Sequence, residues 1–391
     1  MEINKKKLIR ITTVPLSLDK LLSGQLHFMT AFYDVIAVSS DNNYLQKIGK
    51  KEKTRTFLLT MSRKITPIQD FVAVVKLFLF LKKEKPLLVH SHTPKAGIVG
   101  MLAAKLARVP IRLHTVAGLP LMETNGAKRK VLEAVEKLTY SCSTRVYPNS
   151  KGLFDFIATN EFTGLNKLKL IGNGSSNGID TSCFSPDKVS DTQQKALKIS
   201  LGILDEDFVI VFVGRLVGDK GINELVLAFK RVNQHNNHLK LLLVGTTEMD
   251  LDPLQEATQL ETLHNKNIIS VGFQEDIRPY LAISDALVFP SYREGFPNVV
   301  LQAGAMGLPA IVTNINGCNE IIIDGQNGII IPVKNSDAIE KALFKLLKDK
   351  PLFEFLQSNA RQMITSRFEQ KEIWKLLREE YQELETAWQK K

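Results

Sequence analysis

A glycine-rich loop that carries two cations has the residue types needed to bind a diphosphate. Gly214, Arg215 and Lys220 follow the apolar run 208–213, which we expect to form a buried strand. Small residues let the backbone approach an anion, and two cations five residues apart can hold a diphosphate together. The spacings of a dinucleotide fingerprint and of a P-loop are absent. A surface turn with two solvated cations is the alternative interpretation.

A second loop, further along the chain, combines a carboxylate with a helix start. We expect a strand to end at Phe289, a loop to carry Glu294, and a helix to begin near Pro297, which suits a first helical turn. The free N–H groups and the dipole at a helix start favour phosphate oxygens. Asn298 and Gln302 are four residues apart and would share one helix face.

The elements that must position these loops follow an alternating pattern. Short β-branched runs alternate with helical stretches, which is typical of parallel α/β layers. In the first half we predict strands at 8–14, 33–39, 87–90, 112–116 and 145–148, and helices at 68–83, 96–107, 127–140 and 151–157. In the second half we predict strands at 208–213, 240–244, 268–271, 286–289 and 310–313.

The pattern predicts an α/β fold of two doubly wound, Rossmann-like domains that face a cleft. Residues 1–178 would form the first domain and 179–367 the second, joined through the Gly-, Ser- and Asn-rich stretch 172–190. Residues 368–391 would form an amphipathic helix that crosses back to the first domain and buries Trp374 and Trp388. Ligands would bind beyond the carboxyl ends of the strands.

The charge is distributed unevenly between the halves. Residues 1–180 carry 28 Lys and Arg against 13 Asp and Glu, whereas the remainder carries 23 against 28. A net +15 on the first half favours a membrane surface or a phosphate-bearing acceptor over a solvated basic surface. Nucleic acid is disfavoured because no recognition-helix, zinc-finger or aromatic RNA-binding signature accompanies the charge.

Cysteine and hydropathy patterns indicate the compartment. The three cysteines are isolated in sequence and fit neither a zinc site nor a disulfide framework, which favours a reducing, cytoplasmic compartment. The longest apolar stretch, 71–81, is about half the roughly 20 residues that span a bilayer. Together with the charge, these patterns predict a protein that is peripheral at the inner face of the cytoplasmic membrane.

In their order and spacing, these segments resemble the retaining glycosyltransferases of family 4, which have the GT-B fold. The segment from Glu294 to Gln302 resembles the family's Glu–seven residues–Glu motif. Residues 89–97 resemble the second-strand loop of bacterial polysaccharide transferases, and 177–180 resemble the family's linker signature. Residues 316–320 stand where the family has a Gly-Gly-x-x-Glu loop. The resemblance covers nearly the whole chain.

The resemblance implies a role for each candidate residue. Arg215 and Lys220 would bind the donor pyrophosphate and stabilise the departing nucleotide, and Glu294 would contact the donor sugar. These three would be the catalytic residues. The implied donor-binding residues are Gly24, Gly214, Phe273, Gly295, Phe296, Pro297, Asn298, Val299 and Gln302, with 295–299 offering backbone N–H groups, Gln302 on the ribose and Phe273 near the nucleobase.

The resemblance also implies the reaction course. The acceptor hydroxyl would attack the face that the nucleotide leaves, so that the sugar keeps its anomeric configuration, and a phosphate oxygen would help to remove the proton. Strong stabilisation of leaving-group charge is required, and two cations and a helix terminus would supply it. No cofactor and no metal are expected, and the sparse histidines show no metal spacing.

Two residues depart from the family pattern, and His92, Lys95 and His114 are the candidates on the acceptor side. Gln302 stands in place of the second glutamate, although an amide can still bind ribose hydroxyls. Ala117 stands in place of the usual histidine after the fifth strand, so His114 or backbone would have to substitute. Of His90 and His92, we expect one to pack and the other to reach the cleft, with Lys95 as the better phosphate ligand.

The sequence therefore predicts a hexosyl- or N-acetylhexosaminyltransferase of capsule, O-antigen or related surface polysaccharide assembly. The donor would be a UDP-sugar and the acceptor a polyprenyl-diphosphate-linked sugar. A nucleotide-sugar 2-epimerase of the same fold is an alternative that leaves the basic half unexplained. Gln302 and Ala117 also leave open a non-catalytic nucleotide-sugar-binding protein.

Overall fold

Two parallel β-sheets organise the chain, each within its own folded unit. The computed structural model describes residues 5–62, 64, 66–248 and 252–390. One unit comprises Met1–Asn177 with Lys371–Lys391, and the other comprises Gly178–Gln370. The division lies one residue before the predicted boundary at 178 and inside the stretch 172–190. No helix of the described residues is long and apolar enough to cross a bilayer.

The first unit contains a six-stranded parallel sheet in the order β3-β2-β1-β4-β5-β6. Its strands are β1 Lys7–Ile11, β2 Asp34–Ser39, β3 Arg55–Leu58, β4 Leu88–His92, β5 Ile111–Val116 and β6 Arg145–Pro148. Its helices before residue 177 are α1 Pro15–Leu21, α2 Gln25–Thr30, α3 Asn42–Glu52, α4 Pro67–Glu84, α5 Pro94–Leu106, α6 Gly126–Cys142 and α7 Lys151–Thr159. The strand order reverses between β1 and β4, where a ligand crevice is expected.

The second unit repeats this topology, with the strand order β12-β11-β10-β7-β8-β9. Its strands are β7 Phe208–Val213, β8 Leu239–Val244, β9 Ile268–Gly272, β10 Ala286–Phe289, β11 Ala310–Thr313 and β12 Gly328–Ile331. Its helices are α8 Asp191–Leu201, α9 Ile222–Asn233, α10 Glu256–His264, α11 Arg278–Ala282, α12 Asn298–Ala305, α13 Cys318–Ile321, α14 Ser336–Lys348 and α15 Lys350–Phe368. The order reverses between β7 and β10.

The final helix, α16 Gln370–Gln389, belongs almost entirely to the first unit. Leu377 and Tyr381 are buried in the core on one face of its sheet. Trp374 is buried too, and its Nε1 donates a hydrogen bond to Asn177 Oδ1 (2.6 Å). Trp388 is half-exposed near the end of the helix, so the prediction that both tryptophans are buried was wrong for this residue. The α/β fold with a returning C-terminal helix is confirmed.

Candidate active site

Lys220 and Glu294 form an ion pair where the strand order of the second sheet reverses. Lys220 lies in the loop after β7, and Glu294 lies in the loop after β10, the two strands on either side of the reversal. Ser291 Oγ also lies within hydrogen-bond distance of Glu294 Oε1 (3.0 Å). Both charged side chains are mostly buried, at 15% and 17% exposed, so the pair is only lightly screened by solvent.

Two glycines allow the loops of this site to approach one another. Gly221 has a φ of 72°, and a Cβ there would lie 2.2 Å from the carbonyl oxygen of Pro290. Gly317, with a φ of 75°, leaves room for the carbonyl oxygen of Gly295, which a Cβ would meet at 2.6 Å. Both positions therefore require glycine for conformation and for space. They bring the loops after β7, β10 and β11 together at one edge of the sheet.

Asn316, in the loop after β11, holds the backbone of the Glu294 loop in place. Its Nδ2 donates to the carbonyl oxygens of Glu294 (3.2 Å) and Gly295 (2.6 Å). The Asn-Gly pair at 316–317 thus holds the Glu294 loop in position. From the sequence, this segment stood out only through the family resemblance. We infer that Asn316 is a positioning residue, because it contacts the backbone of the site.

Arg215 is more exposed than Lys220 and is engaged differently. Its Nη1 donates to Glu248 Oε2 (2.9 Å), which follows β8. The preceding Gly214 donates its N–H to the carbonyl oxygen of Val244 (2.9 Å). A Cβ on Gly245 would lie 1.8 Å from the carbonyl oxygen of Gly214. Gly214 therefore shapes the turn, and its N–H is already used within the sheet. Arg215 and Lys220 both lie at the carboxyl edge of β7.

The helix start after Glu294 differs in detail from the prediction. Pro297 is the N-cap residue of α12 rather than its first helical residue, and without an N–H it has none to offer. Phe296 is buried, with its ring 5.5 Å from that of Phe368, so only its backbone can face a ligand. Asn298 and Gln302 are half-buried on one face of α12, as their spacing predicts, and Val299 packs partly into the core.

The remaining donor-side candidates are Phe273 and Gly24, which belong to different units. Phe273 is largely exposed directly after Gly272, the last residue of β9, on the same edge of the sheet. Gly24 lies in the first unit, where it caps α2 and a Cβ would lie 2.7 Å from the Trp374 ring. The N–H of Gly24 donates to Glu52 Oε1 (2.8 Å), so the structure gives this glycine a packing role and already satisfies its N–H.

On the acceptor side, His92 is enclosed in a buried polar cluster with a fully buried arginine. Arg10 Nη2 lies 2.9 Å from His92 Nε2, and Arg10 Nη1 donates to the Tyr381 hydroxyl (3.1 Å). Burial and the positive charge of Arg10 lower the pKa of His92 well below its ordinary value. His90 stacks on His92 with ring centres 4.3 Å apart. The expectation that one histidine packs and the other reaches the cleft was wrong, because residues two apart in a strand share a face.

His114 lies on the opposite face of the same sheet and is a core residue. Its Nδ1 is 2.9 Å from Ser91 Oγ, and its ring fills the space beside Gly97 on α5, where a Cβ would lie 2.5 Å away. Burial lowers the pKa of His114 to about 4. The structure therefore places His114 in the core beneath α5.

Lys95 lies near the first turn of α5, beside the reversal point of the first sheet. It forms an ion pair with Asp70 of α4, and its side chain is 11% exposed. The preceding Thr93 has a φ of 75°, uncommon for a non-glycine residue, and its Oγ1 lies 2.8 Å from Thr13 Oγ1 in the loop after β1. Strain of this kind is frequent at ligand sites, which favours a ligand site at the β1–β4 reversal.

Comparison with known proteins agrees with this architecture. The family model described as glycosyl transferases group 1 matches residues 193–363, and the glycosyl transferase 4-like domain matches residues 32–174. The capsular polysaccharide biosynthesis glycosyltransferase CapM of Staphylococcus aureus is 34% identical over 96% of this chain and 97% of its own. The chain belongs to the group 1 glycosyltransferases.

One further relative and one solved structure extend the comparison of this glycosyltransferase. The UDP-Gal:α-D-GlcNAc-diphosphoundecaprenol α-1,3-galactosyltransferase of Escherichia coli is 32% identical over 80% of this chain and 79% of its own. The crystal structure of Anabaena HepE in complex with UDP and glucose has a TM-score of 0.78 at 18% identity, covering 97% of this chain and 100% of the other. The latter shows a shared fold.

Sequence reasoning about this glycosyltransferase missed several residues that organise its sites. Arg10 and Gln25 are fully buried, and Gln25 Nε2 donates to Asn177 Oδ1 (3.0 Å) at the last residue before the chain enters the second unit. An arginine inside the apolar run Leu8–Ile11 was the available signal, because a buried charge requires polar partners. Among the described residues, no three His, Cys, Asp or Glu side chains are grouped to hold a metal ion.

Proposed function

We propose that this glycosyltransferase moves a hexose or an N-acetylhexosamine from a UDP-sugar to a polyprenyl-diphosphate-linked sugar in bacterial surface polysaccharide assembly. The names of the capsular and diphosphoundecaprenol relatives support the acceptor class and the UDP donor. The observation that carries the proposal is the Lys220–Glu294 pair, which places a cation and a carboxylate together at a topological switch point.

The pair provides, side by side, the two groups that binding of a nucleotide-sugar requires: a cation for the pyrophosphate and a carboxylate for the sugar. A donor pyrophosphate presents anionic oxygens to Lys220 and Arg215, and the attached sugar presents hydroxyls that Glu294 can accept hydrogen bonds from. When a donor binds, its phosphate replaces Glu294 as the counter-charge of Lys220. Glu294 is then available to the sugar.

The proposed reaction retains the anomeric configuration and uses no metal. The bond between sugar C1 and the β-phosphate oxygen breaks, while the acceptor oxygen bonds to C1 on the same face. The acceptor proton goes to a phosphate oxygen of the departing UDP. Charge grows on that phosphate as the bond breaks, and Lys220 and Arg215 stabilise it.

Transfer with isolated substrates tests the proposal. The purified protein is incubated with UDP-glucose, UDP-galactose and their N-acetylated counterparts, a polyprenyl-diphosphate-linked sugar, and EDTA. We expect transfer from one donor, with an α-linkage visible by NMR in the product. Epimerisation of the donor without transfer, or binding without reaction, would contradict the proposal, and a β-linked product would contradict retention.

The same proposal places the protein at the inner face of the cytoplasmic membrane, where a polyprenyl-linked acceptor is anchored. The excess of 28 basic over 13 acidic residues in 1–180 supports attraction to an anionic leaflet. Each Lys or Arg close to such a surface contributes about 1 kcal/mol, and salt screens the attraction.

A further inference from the structure

Helix α4 carries an apolar row that faces solvent along three turns. Ile68, Phe71, Val75 and Leu79 are three, four and four residues apart and therefore lie on one face. Ile68 is 83% exposed, Phe71 is 69% exposed and Leu79 is 61% exposed. The other face of α4 is already buried in the core, through Ala73, Val74, Leu77 and Leu81. A surface helix that is apolar on both faces has an outer face that a partner must cover.

The charges around this row have one sign. Lys76, Lys82 and Lys83 of α4 are exposed. Both acidic side chains of the helix are ion-paired within the unit, Asp70 with Lys95 and Glu84 with Lys7 and Arg55. The surface therefore offers apolar side chains and unpaired ammonium groups, with no unpaired carboxylate.

The basic surface continues beyond the C-terminal end of α4. An open cleft of about 630 Å³ lies there, and its lining includes Lys5, Lys6, Lys7, Lys85, Arg108 and Trp388. Glu84 is the acidic side chain among its lining residues. Cations with a half-exposed tryptophan beside an apolar helix are the residue types that occupy the interface of a bilayer.

A second copy of the chain fits this surface less well. A symmetric pair through α4 would place Lys76, Lys82 and Lys83 of both copies in one interface, since an isologous contact uses the same patch on each copy. The helix has no unpaired carboxylate to compensate them. An anionic lipid surface satisfies both the apolar row and the lysines.

We propose that α4 is the membrane-docking element, with its apolar row at the boundary of headgroups and acyl chains and its lysines on lipid phosphates. This inference rests on the proposed function in one respect: docking through α4 would bring the protein to the membrane in which the lipid-linked acceptor is anchored. It assigns the contact to one helix face rather than to the whole basic half.

Vesicle sedimentation tests the assignment. The probes are vesicles of phosphatidylcholine alone and of equal amounts of phosphatidylcholine and phosphatidylglycerol. We expect the unmodified protein to bind the anionic vesicles, and the Phe71→Ser/Leu79→Ser variant to bind on the order of 100-fold less. The Lys76→Gln/Lys82→Gln/Lys83→Gln variant should lose a similar factor on anionic vesicles only, because each lysine contributes through the headgroup charge.

The matched control is Ile199→Ser/Leu263→Ser, which removes two equally exposed apolar side chains, 79% and 77% exposed, from the second unit. We expect this variant to bind vesicles as the unmodified protein does. Equal losses in the control, or no binding of anionic vesicles at low salt, would overturn the assignment. A vesicle-independent dimer that Phe71→Ser/Leu79→Ser dissociates would also overturn it.

The readout separates this inference from the proposed function. Transfer to a short, water-soluble acceptor should be unchanged in the α4 variants, because the substituted side chains are exposed and none of them is a candidate site residue. Vesicle binding without transfer from any UDP-sugar would refute the proposed function and leave the α4 assignment intact. If the protein transfers sugar but the α4 variants bind vesicles as the unmodified protein does, the α4 assignment is refuted and the proposed function stands.

Discussion

Lys220 and Glu294 are 74 residues apart in sequence and form an ion pair at the reversal point of the second sheet. Neither residue has such a partner within its own loop. The contact exists because β7 and β10 are hydrogen-bonded neighbours, so that the loops after them meet. The residues proposed for phosphate binding and for sugar binding are thus already in contact with each other.

Removal of Lys220 should impair transfer strongly without unfolding the protein. We expect Lys220→Ala to lower kcat/KM on the order of 100-fold, or about 3 kcal/mol, because the cation meets charge that develops on the leaving phosphate. The control is Lys230→Ala, which removes an exposed lysine that pairs with Glu261 (2.7 Å) on the surface. Initial-rate kinetics with matched melting curves decide the point, and similar rates in the two variants would remove Lys220 from the site.

Neutralising Glu294 should separate sugar binding from nucleotide binding. Glu294→Gln keeps the shape of the side chain but releases Lys220, so the affinity for UDP should hold or rise. The transfer rate should fall by about 10- to 100-fold, since a hydrogen bond to a charged acceptor is worth about 1.5–3 kcal/mol. Glu261→Gln is the control. A variant that loses UDP affinity but transfers sugar normally would refute the assigned role.

Gln302 offers a test of the ribose contact. It is half-buried on the face of α12 that also carries Asn298. We expect Gln302→Glu to keep or improve the affinity for the donor, because the carboxylate accepts hydrogen bonds from ribose hydroxyls. Gln302→Leu should raise the KM for the UDP-sugar. If leucine behaves as glutamine does, the position serves packing.

His114 should contribute to acid sensitivity rather than to catalysis. Its pKa is about 4 in the folded protein against an ordinary value of 6.5, so between these values only the unfolded chain binds the proton. The contribution of His114 to the free energy of unfolding is fully present above about pH 6.5 and is lost as the pH falls toward 4. Between pH 7 and pH 5 the loss is about 2 kcal/mol.

The variant His114→Asn keeps a polar atom near Ser91 Oγ and removes the titration. Its free energy of unfolding, measured by urea denaturation, should fall about 2 kcal/mol less between pH 7 and pH 5 than that of the unmodified protein. The matched control is His264→Asn, which makes the same substitution at an exposed position. Transfer activity at pH 7.5 should persist in His114→Asn, and its abolition in a folded variant would assign His114 to the site.

Several strands of the sheets were readable from the sequence, whereas two edge strands and two short helices were not. Strands β6, β7, β10 and β11 have the predicted bounds, because each is mostly apolar or β-branched and lies between turn-forming residues. The edge strands β3 and β12 have four residues each and were missed, as were the short helices α1 and α2. Such pieces are stabilised by contacts with distant residues, which local patterns do not contain.

It was harder to predict which face of the sheet each site residue occupies. Both faces of a doubly wound sheet are covered by helices, so hydropathy does not distinguish them, and His114 lies on the face covered by α5. Glu294 and Lys220 were identified through their motifs, but their contact depends on strand order. The carboxylates that engage Arg215 and Gly24 come from Glu248 and Glu52, which lie 33 and 28 residues away.

Titration calorimetry with UDP tests most directly whether the loops after β7 and β10 hold the donor pyrophosphate. We predict that UDP binds the unmodified protein, and that Arg215→Ala and Lys220→Ala each weaken binding at least about tenfold, or 1.4 kcal/mol. The surface controls Arg231→Ala and Lys230→Ala, which remove comparably ion-paired cations, should bind UDP as the unmodified protein does. Equal UDP affinity in all four variants, or no affinity for UDP in the unmodified protein, would contradict the account.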